Sequence, residues 1–400
     1  MTSGDRAHSN HPPGNSRPPG NRCLRIAQIV RSLDVGGIET FLANLVPALS
    51  TRGVACEIFC IEYGGRTADL LAKAGVPVHV VGLKPVTGIR ALYGLAAALR
   101  ARPAFDLVHG HGRLAAKTAR VAALQVGHLR TVVQLHAVRD RMTWRQRSFE
   151  RALAPTTDAY VVVSRAVLEA EMRWWRRPTE RFHVIPNGIP LERFALAADE
   201  RRRAREAVRA ELQIPAGAFC AGTSARLCAD KDLPTLLRGL AAWFALRPQA
   251  HFLLAGSGPD EAALRALAGR LALPAERLHW AGFRPDMPAV LAALDAFTIT
   301  SATESFCLSL LEAFQAGLPA VTTWVGGIRD YVVPEETALC LEVGAADLLA
   351  AALVRLEDDS ALRDRLAADA RRVAQRFDID AVADRFANLY RQIVLNAFNV

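Results

Sequence analysis

Short apolar runs alternate with longer segments whose apolar residues recur at helical spacing, and the alternation repeats along most of the chain. Residues 24–30, 55–61, 76–81, 107–109, 131–135, 159–163 and 181–185 read as strands with helices between them. Strands separated by helices predict a parallel, doubly wound sheet. After the charged stretch 199–206 the pattern restarts, with strands near 218–225, 251–255, 278–281 and 296–299. The expectation is α/β: two Rossmann-like domains, 23–190 and 218–377, joined by a linker over 191–217 and followed by an amphipathic segment, 378–400. A ligand held at the strand ends of both sheets would lie in the cleft between them.

Composition narrows the class. A chain of 400 residues exceeds one ordinary core and suits two. Hydrophobic residues make up 51% and charged residues 22%, as in globular proteins, and the apolar runs are interrupted too early to span a bilayer. Residues 1–22 are rich in Pro, Gly, Ser, Asn and His with no apolar stretch, which predicts a disordered tail rather than a signal peptide and a cytoplasmic protein. Seven cysteines are scattered, and Cys56 and Cys60 have no second pair at metal-ligand spacing, so reduced thiols are expected.

The net charge of +9 suits phosphorylated substrates, anionic lipid or nucleic acid and selects none of them. Arg139, Arg141, Arg145, Arg147 and Arg151 surround Trp144, and Arg173-Trp174-Trp175-Arg176-Arg177 again mixes basic with aromatic groups. Two readings stay open for these segments: an interface with the inner face of an anionic membrane, or a solvated helix face with core tryptophans. No nucleic-acid recognition motif organises the basic residues, so nucleic acid is not an expected partner.

Candidate chemistry concentrates at a few places. The strand at 294–299 is followed by a segment in which Glu304 and Glu312 bracket what reads as a helix starting near Ser305, with Gly317 and Pro319 as its stop. Free N–H groups at such a start suit a pyrophosphate, and up to ~12 Å of helix between the carboxylates would let one grip a sugar and the other a ribose. Two solvated glutamates would show the same spacing. Gly36-Gly37 sits between a strand and a helix, where the backbone can turn and approach a phosphate. Arg226 and Lys231 lie between a strand and a helix in the second half, as a phosphate clamp or as partners of Asp230 and Asp232. His136, His109 and His111 stand at strand ends, where imidazoles belong at a cleft edge more readily than in a core.

Taken in order, Val35-Gly36-Gly37-Ile38-Glu39, His109-Gly110-His111, Leu135-His136, Val162-Val163-Ser164, Ile185-Pro186-Asn187-Gly188-Ile189, Arg226 with Lys231, Ala255-Gly256-Ser257-Gly258-Pro259 and the Glu-x7-Glu pair resemble the GT4 family of retaining glycosyltransferases. The resemblance implies the GT-B fold, two Rossmann-like domains facing a central cleft, with the last helix returning to the first domain. It implies a sugar moved from a nucleoside-diphosphate sugar to a glycan or lipid-linked acceptor held by the first domain. It carries over Glu304 to the donor sugar and Glu312 to the ribose, with Ser305, Phe306, Cys307 and Leu308 lining the donor beside them. Arg226, Lys231, Gly36 and Gly37 hold phosphate, His136 serves sugar positioning or proton management, and Glu39, His109 and His111 lie on the acceptor side.

Asp230-Lys231-Asp232 and Asp378-Ile379-Asp380 spell the Asp-x-Asp of metal-dependent transferases, but the first belongs to the cation motif and the second reads as a helix cap. With two cations at the diphosphate, metal-independent transfer and no cofactor are expected. Cys307 departs from the glycine usual in relatives. A thiol there narrows the pocket, and a helix start would lower its pKa, although a buried inert thiol is the plainer state. Rival readings are another GT-B enzyme, such as a nucleotide-sugar epimerase or phosphorylase, and a donor-binding protein without turnover.

Overall fold

A computed structural model describes residues 22–34, 36–83, 89–127, 129–137, 143–175 and 180–396. Residues 1–21 of the expected tail, Val35, Arg139, Arg141, Arg176 and Arg177 lie outside the described residues, as do the side chains of Trp174 and Trp175.

The first sheet contains β1 (Leu24–Ser32), β2 (Val54–Tyr63), β3 (Val78–Val80), β4 (Leu107–His111), β5 (Arg130–Leu135), β6 (Ala159–Val162) and β7 (Phe182–Val184), in the order β3-β2-β1-β4-β5-β6-β7. The second contains β8 (Cys220–Ser224), β9 (His251–Ala255), β10 (Leu278–Gly282), β11 (Ala296–Ile299), β12 (Ala320–Thr323) and β13 (Leu339–Leu341), in the order β10-β9-β8-β11-β12-β13. Every pairing is parallel. The apolar strands are thereby covered on both faces, which parallel sheets require. β12 and β13 extend the second sheet beyond the strands the sequence marks.

Helices Gly37–Ser50 and Ile379–Asn396 cover one face of the first sheet, where Ile26, Leu42, Phe386 and Tyr390 are fully buried. Helices Ile89–Arg100 and Gly112–Val126 cover the other, against Ile29, Leu95 and Val108. In the second domain, helices Leu233–Leu246 and Ala346–Asp358 pack Trp243 and Leu349 over Phe252 and Ala221. Each such apolar side chain contributes about 2 kcal/mol by leaving water.

The stretch 191–217 is not an extended linker. It holds helices Leu191–Phe194 and Ala198–Glu211. The arginines that give this stretch its charge include two that point inward: Arg205 and Arg209 bond opposite oxygens of Asp295 at 2.7 and 2.8 Å, and Asp295 also accepts from the Cys220 N–H. Arg209 keeps only 4% of its side chain exposed, so helix Ala198–Glu211 is clamped to the start of β8 and β11.

The chain crosses between domains twice, and the crossings pair. Ile189 N donates to Phe377 O and Ile379 N donates to Ile189 O, at 2.9 and 3.0 Å. The domains also meet where the Arg165 N–H donates to Asp330 at 2.6 Å and where Arg66 stands 5.4 Å from the Phe283 ring centre. Among the described residues no helix is long and apolar enough to cross a membrane.

Candidate active site

Two loops of the second domain build the centre of the cleft. The Arg226 loop leaves β8 and is braced by the loop after β9. Ala225 N donates to Ala255 O, Leu227 N to Ser257 O, and Asp260 N to Leu227 O. A Cβ at Gly256 or Gly258 would stand 1.9 or 2.2 Å from the carbonyl oxygens of Ala225 and Leu227, so only glycine permits this approach. Arg226 itself is exposed, and its guanidinium forms no hydrogen bond or ion pair among the described residues.

Lys231 follows in a tight turn tied to the end of β11. Thr300 Oγ1 donates to Lys231 O and Ala302 N donates to Asp230 O. The Lys231 ammonium donates to Glu304 Oε1 at 2.6 Å, and Ser301 Oγ donates to the same oxygen at 2.7 Å. Burial opposes the lysine charge, but Glu304 beside it outweighs that and raises its pKa. Glu304 is 7% exposed, and its Oε2 carries no hydrogen bond among the described residues, leaving an acceptor for a hydroxyl.

The helix expected from Ser305 runs over Leu308–Gln315 instead. Residues 304–307 are a loop because tertiary contacts hold them: Gly327 N donates to Glu304 O, and Tyr331 OH reaches the carbonyl oxygens of Phe306 and Cys307. Cys307 ends that loop at φ 68°, a backbone state that costs a non-glycine residue about 1 kcal/mol or more. The expectation of a lowered thiol pKa is overturned. Burial pushes Cys307 up to about 12, Glu304 adds to the rise, and Lys231, the Leu310 N–H and Ser309 only partly offset it. The thiol lies at the helix mouth, where its Sγ is 3.7 Å from Ser309 Oγ.

Glu312 lies within this helix and is 9% exposed, and its carboxylate has no hydrogen bond or ion pair among the described residues. Burial raises its pKa to about 7, with Arg193 pulling the other way.

Across the cleft, Gly36 caps the helix Gly37–Ser50 with no side-chain hydrogen bond. Its φ of 179° is extended backbone that any residue adopts, so the doublet supplies room rather than a special turn. Glu39 lies here. Burial raises its pKa, its own N–H and the charge of Arg226 in the second domain hold it down, and Asp34 adds to the rise.

The three histidines divide. His136 stands half-buried beyond the end of β5, its ring centre 6.0 Å from that of Phe41 on helix Gly37–Ser50. His109 and His111 do not sit at an edge: they are 0% and 3% exposed, and helix Ile379–Asn396 sets Phe386 and Tyr390 against the His109 ring. His109 Nδ1 is 2.7 Å from Tyr390 OH, and His111 lies between Gln28 and His136. Burial, reinforced by the neighbouring rings, pushes His109 and His111 well below the ordinary imidazole range, and burial alone takes His136 to about 3. All three are neutral at working pH. His109 and His111, expected on the acceptor side, are thus placed beneath the surface of the first domain.

Several site residues escape the sequence reading: Ser301, Gly326, Gly327, Tyr331 and Gln28. Only the Gly326-Gly327 doublet leaves a mark, following a short run that turns out to be β12. Asp230 and Asp232 flank Lys231 on its turn, and Asp378 accepts from Asp380 N at the start of the last helix. An open groove of about 640 Å³ lies on the second domain around Gln213, Arg265, His279 and Trp280, and no motif residue lines it. The helix Trp144–Leu153 leaves Trp144 71% exposed with the Arg145 guanidinium 5.4 Å from its ring centre.

Comparisons with known proteins agree with this geometry. The family description "Glycosyltransferase Family 4" matches residues 35–193 and "Glycosyl transferases group 1" matches residues 204–373. The D-inositol 3-phosphate glycosyltransferase of Corynebacterium glutamicum (strain R) is 25% identical over 394 residues, covering 91% of this chain and 93% of that protein. The UDP-Gal:alpha-D-GlcNAc-diphosphoundecaprenol alpha-1,3-galactosyltransferase of Escherichia coli is 24% identical, covering 93% and 98%. Anabaena HepE, solved in complex with UDP and glucose, superposes with a TM-score of 0.81 at 22% identity over 92% of this chain and 99% of that one. Two parallel sheets, a cleft carrying the Lys231–Glu304 pair and these matches lead to one conclusion: the chain is a glycosyltransferase of the GT4 family with the GT-B fold.

Proposed function

We propose that the protein moves a hexose-type sugar, with retention and without a metal, from a nucleoside-diphosphate sugar to a glycan or lipid-linked acceptor at the first domain. The observation that carries this is the buried Lys231–Glu304–Ser301 cluster beside the unpaired cation Arg226. As the bond from the sugar to the diphosphate breaks, negative charge grows on the leaving group, and a preorganised guanidinium and ammonium stabilise it there. Glu304 Oε2 accepts from a sugar hydroxyl and Glu312 from the ribose. His136, neutral, positions the sugar and does not serve as a general acid. UDP is the first nucleotide to test, since the Escherichia coli relative is named for UDP-Gal and HepE is solved with UDP.

The test is a thermal-shift series with UDP, GDP, ADP and dTDP on the protein and on Arg226→Ala and Glu312→Ala, followed by turnover with the matching sugar nucleotide. One nucleotide raises the melting temperature by mass action, and both variants lose the shift. The shift is larger at pH 8 than at pH 6, because ribose hydroxyls bind the ionised Glu312, whose pKa of about 7 makes deprotonation an added cost at the lower pH. No shift at millimolar nucleotide would remove the donor site. In turnover, an inverted product anomer would remove retention, and inhibition by EDTA would remove metal independence.

The exposed Trp144 with Arg145 and Arg151 on one helix supports peripheral contact with an anionic membrane, which suits a lipid-linked acceptor. Trp144→Ser is expected to lower co-sedimentation with anionic vesicles about tenfold, the loss of one inserted aromatic side chain. Equal sedimentation of both forms would remove the contact.

A further inference from the structure

A polar row lies on one face of the first sheet under the returning helix. Gln28 of β1 pairs with His109 of β4, and His111 of β4 pairs with Gln134 of β5, next along the strand to His136 on the same face. Gln28 is fully buried, so each end of its amide has a fixed duty. Its Nε2 lies 3.4 Å from Tyr390 OH and 3.6 Å from Cys56 Sγ and donates to both, which turns Oε1 to His111. Tyr390, having accepted from Gln28, donates to His109 Nδ1 at 2.7 Å.

An amide oxygen only accepts, so His111 Nε2 donates to Gln28 Oε1 at 2.7 Å and carries the ring's proton. A neutral imidazole then has a lone pair on Nδ1, and His136 Nε2 donates to it at 3.2 Å. His136 is left with its own lone pair on Nδ1, the nitrogen His111 does not engage. Each step in this chain follows from the one before, beginning with the way Gln28 is turned.

We infer that Gln28, His111 and Tyr390 are positioning residues for transfer: together they hold His136 in the tautomer protonated on Nε2, so that the lone pair of Nδ1 faces the sugar being transferred. This rests on the proposed placing of His136 at the donor sugar. Positive charge develops on the sugar ring as its bond to the leaving group breaks. A lone pair directed there lowers the energy of that charge, whereas an N–H would raise it, so the tautomer bears on kcat more than on donor binding. The same logic governs imidazoles oriented by a neighbouring carbonyl or carboxylate at metal centres.

Histidine-ring ¹⁵N–¹H correlation spectra of the intact protein, with His136 assigned by comparison with His136→Gln, decide the matter. The proton is expected on His136 Nε2. Gln28→Leu should give a mixture of His136 tautomers and a kcat about tenfold lower, the worth of one hydrogen bond, with nucleotide Kd retained. A proton on His136 Nδ1 in the wild type would overturn the inference, as would a Gln28→Leu protein with the original tautomer and full kcat. If the wild type shows the expected tautomer but His136→Ala keeps full kcat, the placing of His136 at the sugar fails instead, and the inference falls with it.

Discussion

Lys231→Ala is expected to lower kcat for sugar transfer by about 10²–10³, the cost of removing one preorganised charge from a transition state. The effect exceeds that of an exposed lysine because of what surrounds it. Lys231 Nζ is held 2.6 Å from Glu304 Oε1 in a turn fixed by Thr300 and Ala302, so it meets the leaving diphosphate without reorganising. Its removal also leaves the Glu304 carboxylate, 7% exposed, with Ser301 as its remaining partner, and a carboxylate without its cation turns away from the sugar or takes up a proton. Lys231→Arg should recover little, because a planar fork does not fit where a compact ammonium sits. Steady-state kinetics on variants whose melting curves match the wild type provide the measurement. A Lys231→Ala enzyme within tenfold of wild type would assign the departing charge to Arg226 alone.

Gly326→Ala is expected to abolish most activity from a distance. Gly326 lies at φ 49°, and a Cβ there would stand 1.8 Å from Glu304 O, a collision with backbone that no rotamer relieves. The 304–307 loop must move, and a displacement of about 1 Å at the reacting groups costs on the order of 100-fold in rate. Gly344→Ala separates strain from collision. Gly344 has φ 82° with nothing within 4 Å of its Cβ position, so it carries the conformational penalty without the clash. Both variants should lose stability by about 1 kcal/mol for the left-handed backbone, but only Gly326→Ala should lose kcat. Equal kcat in the two would mean that the Gly326-Gly327 contact does not position Glu304.

The strands and their parallel order could be read in the sequence because each is a compact apolar run between helices, the pattern a sheet buried on both faces imposes. β12 and β13 escaped because Ala320-Val321-Thr322-Thr323 and Leu339-Cys340-Leu341 are too short to show a period. The start of the helix at Leu308 escaped for a different reason. Residues 305–307 have ordinary local preferences and are kept from helix by Tyr331 and Gly327, which are remote in sequence. The meeting of Lys231 with Glu304 could be anticipated because each is a charge between a strand and a helix, which is a local signal. The burial of His109 was hidden for the converse reason: a strand end marks an exposed edge only if nothing covers it, and helix Ile379–Asn396 sets Phe386 and Tyr390 against that ring. The inward turn of Arg205 and Arg209 was likewise hidden, since their partner Asp295 stands just before β11, remote in sequence.

The returning helix also sets an order on the molecule's birth. Phe386 and Tyr390, made after every strand of the second domain, stand in the same core as Ile26 and Leu42, made before any of them. As synthesis runs from the N-terminal side, the second domain holds all of its strands while the first still lacks one wall. Of the two domains, the one begun first is thus finished second. Until helix Ile379–Asn396 arrives, an apolar sheet face and the buried imidazoles beneath it stay open to whatever else is nearby.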